Sequence, residues 1–67
     1  MIIYCEAVVE NTTQQENLIE CIEILGGNPQ IKQDKISVEH EGIKDECDIF
    51  IALFEHYARH NITILES

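Results

Sequence analysis

Between residues 2 and 9 the apolar and polar positions alternate. Ile3, Cys5, Ala7 and Val9 fall on one side of an extended chain, and Ile2, Tyr4, Glu6 and Val8 on the other. A period of two rich in β-branched residues predicts a strand over Ile2 to Val9. The period then changes. Asn11, Thr12 and Thr13 offer helix N-caps, and Thr13 with Glu16 three residues on matches a capping box, each side chain bonding the other residue's amide. Leu18, Cys21, Ile22 and Leu25 recur at three- and four-residue spacing, while Glu16, Glu20 and Glu23 face away. Gly26-Gly27 supplies a left-handed stop, so a first helix is predicted over Thr13 to Leu25.

Pro29 to Gln33 and Lys35 to His40 read as a hairpin around Asp34-Lys35, with Ile31 in the first arm and Ile36 and Val38 in the second. From Ile43 to about His60 the set Ile43, Cys47, Phe50, Ile51, Phe54, Tyr57 and Ala58 follows the helical period. Asp45, Glu46 and Asp48 stand in its first turns and Arg59 in its last, where each complements the helix dipole. Ile62 to Leu65 closes the chain as a strand. The fold class is therefore α+β, a two-layer sandwich in the β-α-β-β-α-β ferredoxin-like order, with an antiparallel sheet and both helices on one face. A three-stranded sheet is the alternative, should Pro29 to Gln33 be loop.

Length and composition sharpen this picture. Sixty-seven residues leave room for one core, so residues 1–67 form a single domain. A core this small is marginal alone, which makes a partner a reasonable expectation. Cys5, Cys21 and Cys47 are odd in number, widely spaced and set among apolar neighbours, which reads as core filler in a reducing compartment and not as a disulfide framework. No run is long enough to span a bilayer, and no signal-peptide pattern opens the chain, so a cytoplasmic location is expected.

The chemical motifs are mostly missing. Of the three glycines, Gly26-Gly27 follows a helix, whereas a phosphate-cradling loop precedes one. His56 and His60 stand four apart, the spacing at which two imidazoles on one helix face grip a metal, but no third ligand is fixed by sequence, His40, Glu39 or Glu41 coming near only if the fold allows it, and no metal or other cofactor is expected. Cys47 lies on the apolar stripe as an inert thiol. The carboxylates sit among polar neighbours, without the burial that tunes a general acid. The expectation is a protein that is not an enzyme.

The element order is shared by several families. Copper-carrying domains place two cysteines in the first loop, where Glu10, Asn11 and Thr12 stand here. RNA-recognition domains need exposed aromatics and basic loops, while this chain has Tyr4 alone on its first strand and four basic residues in all, so direct nucleic-acid binding is not expected. The joint Leu25-Gly26-Gly27-Asn28 resembles that of amino-acid-sensing regulatory domains, although their glycine-rich loop after strand one is absent.

Charge is the remaining signal. Thirteen acidic residues against four basic ones give a formal net charge of −9, beyond the magnitude of about 2–8 suited to a small soluble domain. The excess favours fast, salt-dependent association with a basic surface. Glu39, Glu41, Asp45, Glu46 and Asp48 form one candidate patch and Glu16, Glu20 and Glu23 a second. Ile49, Leu53 and Tyr57 add an apolar stripe on helix two that helix one, a partner or a second copy would cover. The functional expectation is a small acidic protein-binding domain engaging a basic protein surface. Its sharpest form is an inhibitor that mimics nucleic acid and occupies the groove of a nucleic-acid-binding protein, as small acidic phage-encoded inhibitors do. The alternative is a small-molecule-binding regulatory homodimer, with ligand near Asn11, Thr12 and Asn28.

Overall fold

The computed structural model describes all of residues 1–67. Its elements are β1 (Ile2–Val8), α1 (Thr12–Ile24), β2 (Gln30–Lys32), β3 (Lys35–Glu41), α2 (Lys44–Glu55) and β4 (His60–Glu66). The four strands form one antiparallel sheet in the order β2-β3-β1-β4. Ile3, Cys5 and Ala7 of β1 point to the same side as Ile36 and Val38 of β3. There they pack with Leu18 and Ile22 of α1 and with Cys47, Phe50 and Phe54 of α2 in one buried cluster. Both helices therefore cover one face of the sheet, as the alternation in β1 requires. On the other face Ile2, Tyr4, Glu6 and Val8 are half-buried and no element lies over them.

Several boundaries differ from expectation. The α1 N-cap is Asn11, whose Oδ1 accepts from the Gln14 amide at 3.0 Å. Thr13 lies inside the helix and forms no capping box, because the chain leaves β1 one residue earlier than the pattern suggested. At the other end the Gly27 amide donates to Ile22 O (2.8 Å) and the Gly26 amide to Glu23 O (3.0 Å), with Gly26 at φ +85°. That pairing is a Schellman stop. Cys21 and Leu25, assigned to the core stripe by spacing, are exposed.

The hairpin turns at Gln33-Asp34, between the paired Lys32 and Lys35, with Gln33 taking the positive φ of 58°. Its first arm is a strand, so the sheet has four members, but only three residues long. The largest correction concerns α2, which ends at Glu55 with His56 as its cap. Tyr57, Ala58 and Arg59 turn back toward the sheet, where Arg59 O accepts from the Val8 amide at 2.9 Å, and β4 begins at His60. Pairing with β1 satisfies these backbone groups in the sheet, overriding the helical spacing of the side chains.

Candidate functional site

The acidic residues are positioned by strand direction. Since β1 runs antiparallel to both β3 and β4, the start of β1 lies beside the ends of both: Ile2 pairs with Glu41 on one side and with Glu66 on the other. Met1 fastens this end, its amino group donating to Gly42 O and its carbonyl accepting from the Gly42 amide, each at 3.0 Å. Helix α2 starts three residues beyond Glu41, so Asp45, Glu46 and Asp48 emerge from the same end. Glu39, Glu41, Asp45, Glu46, Asp48 and Glu66 are all exposed. The residues of the first patch are thus carried by elements that meet at one end of the domain, Glu39 and Glu41 on the sheet face away from the helices and Asp45, Glu46 and Asp48 on α2, and Glu66 joins them through sheet pairing that the sequence alone does not reveal.

Besides the Met1 ammonium, one basic side chain enters this end. Lys44 Nζ lies 2.7 Å from Asp48 Oδ2, an (i, i+4) pair on the surface of α2, and this pairing raises the pKa of the lysine. The other three basic residues sit at the opposite end: Lys35 pairs with Val8, Lys32 lies across the turn from it, and Arg59 follows α2. Lys35 Nζ reaches Glu6 Oε2 at 2.9 Å and Arg59 Nη1 reaches Glu10 Oε1 at 3.3 Å. Glu6 is held below the usual carboxylate range by its bond from Lys35, then by the Tyr4 hydroxyl. The domain is electrically polar, with Glu39, Glu41, Asp45 and Glu66 free of ion pairs at one end. The second patch stands apart from it: Glu16, Glu20 and Glu23 form an exposed stripe along α1.

Sequence offers His40 only as a candidate third ligand beside His56 and His60. It lies on the helix-covered face of β3, its ring centroid 4.5 Å from that of Phe50. Its Nε2 is buried without a hydrogen-bond partner, 3.7 Å from Glu46 Oε1. Glu46 therefore faces both solvent and this imidazole, and Gly42 leaves the space between them open.

The apolar stripe on α2 is divided. Leu53 and Tyr57 pack against the core, whereas Ile49 is 51% exposed. Each helix packs on the sheet, α1 over β3 and α2 over β1 and β4, leaving Ile49 uncovered. Ile43, expected in the core stripe, is the α2 N-cap and is also exposed at the acidic end.

His56 and His60 are not on one helix face: the first caps α2 and the second opens β4. The two-imidazole grip that their spacing suggested is not formed, and no group of three or more metal-ligating side chains gathers anywhere. Asn11 and Thr12 lie at the start of α1 and Asn28 beyond its end, so α1 separates them within one chain. No helix is long and apolar enough to cross a membrane. Comparison with protein-family models, curated proteins and solved structures finds no match to this chain.

Proposed function

We propose that the acidic end is a docking surface for a basic protein groove, and that the chain acts without catalysis, as a carboxylate substitute for nucleic acid. The observation that supports this reading is the convergence of β3, α2 and β4 on one end, where Lys44 is the one lysine or arginine and is engaged by Asp48, and the Met1 ammonium is turned onto Gly42 O. Carboxylates on a folded scaffold offer Lys and Arg the same charge-assisted bonds that phosphates do. Exposed Ile43 and Ile49 among these acids would supply the apolar contact that fixes such a complex. The scaffold itself we read as ferredoxin-like, two split βαβ units interleaved through the sheet order β2-β3-β1-β4.

The test is capture from a native extract at low salt followed by elution in a salt gradient. A nucleic-acid-binding protein is expected to leave at moderate salt, and its own nucleic acid should compete for it. Glu39→Lys combined with Asp45→Lys should weaken that complex at least tenfold while leaving the circular dichroism spectrum unchanged. Retention unaffected by the double reversal would refute the reading.

A further inference from the structure

The two edges of the sheet are unlike. At one edge β2 is three residues long, follows Pro29 and carries Lys32, the features by which sheets discourage further pairing. At the other, β4 runs for seven residues and pairs with β1 alone. The stretch from Asn61 to Leu65 contains no charge, glycine or proline. Ile64 is 55% exposed and Leu65 50%. A shift in register marks the far end of this strand, after Ile64.

The direction of the free backbone groups follows from the register. Val8 donates to Arg59 O, so Val8 and Arg59 form a hydrogen-bonded pair, and such pairs alternate along an antiparallel ladder. Asn61, opposite Glu6, and Thr63, opposite Tyr4, then turn their amides and carbonyls toward β1. His60, Ile62 and Ile64 turn theirs outward, where the chain offers them no partner.

We infer that the β4 edge pairs antiparallel with the β4 edge of a second copy of this chain, joining two sheets into one. A two-fold axis beside Thr63 sets Ile62 opposite Ile64 of the second copy, so that the outward amides and carbonyls of both residues are satisfied and their side chains meet on the helix-covered face. Charge selects this occupant and this orientation. Two chains of net charge −9 repel unless they meet where charge is absent, and the span from Asn61 to Leu65 provides such a strip. Antiparallel pairing also carries Arg59 and His60 of each copy toward Glu66 of the other, bringing the cation-bearing end of one domain beside the acidic end of its neighbour.

The experiment is light scattering on the eluted protein in moderate salt, with no other protein present, so that it is independent of the docking surface proposed above. The wild-type chain is expected at twice the 7.7 kDa of one copy. Ile64→Lys should return it to a single copy, and Ile49→Lys, on α2, should leave the pair intact. Amide hydrogen exchange on the wild type gives a second reading, in case Ile64→Lys does not fold. The Ile62 and Ile64 amides should slow at least tenfold as protein concentration rises. A single-copy mass at every concentration, or free exchange at those two amides, would overturn the inference. So would a pair that survives in folded Ile64→Lys and is lost in Ile49→Lys.

Discussion

At the scale of residues, burial separates chemistries that look equal in sequence. Cys5 and Cys47 are buried and Cys21 is exposed. Burial, reinforced by nearby Cys47, pushes the Cys5 thiol up to about 11. A pKa raised on folding means that the folded state favours the neutral thiol. This contribution to stability is complete below the unfolded value of about 8.5 and is lost as pH rises toward 11. Urea midpoints measured from pH 8 to 11 should fall more steeply for the wild type than for Cys5→Ala, and equal slopes would show that this thiol does not couple to folding. The apolar neighbours common to all three cysteines concealed their difference. Cys21 shares a helical stripe with Leu18 and Ile22, yet those two are buried against the sheet and α2 while Cys21 is left exposed.

At the scale of elements, strands and helix starts were legible to differing degrees. The alternation in β1 separated its two faces, although which of them the helices cover depends on the rest of the chain. Helix starts were harder, since Asn11, Thr12 and Thr13 are all competent caps and only the exit of the chain from β1 selects among them. The observed cap makes a clear forecast: Asn11→Ala should cost about 1 kcal/mol of stability, whereas Thr13→Ala should gain a few tenths, alanine being the better helix former, as read from urea midpoints. The reverse order would restore the capping box. The end of α2 could not be read from spacing, because Tyr57 and Ala58 continue the helical period. What stops the helix is the pairing of Val8 with Arg59, about fifty positions apart in the sequence and invisible to any local window.

At the scale of the whole molecule, charge is a matter of arrangement more than amount. Nine net negative charges spread evenly over 4436 Å² would stand roughly 20 Å apart, well beyond the screening length of about 8 Å at physiological ionic strength. Even spreading would make them nearly independent. Convergence of β3, α2 and β4 instead brings Glu39, Glu41, Asp45 and Glu66 to one end, with Glu41 and Glu66 two strand spacings apart, about 10 Å and close to the screening length. Raising sodium chloride from 0.02 to 0.5 M, on the order of the range over which screening tightens, should therefore raise the melting temperature. Glu41→Gln should raise it at low salt and reduce its response to salt. The acids themselves were plain in the sequence, but their meeting at one end depends on strand order and direction, which single residues do not encode.

Met1 is bonded to Gly42 within the acidic end, and Ser67 lies beside it, lining a shallow recess with Met1 and Lys44. Any affinity tag or fluorescent fusion attached at either of these positions would hang over the very surface whose binding it is meant to report. The Gln33-Asp34 turn lies at the opposite pole, so a label inserted there leaves the acids uncovered and offers the better handle for immobilisation.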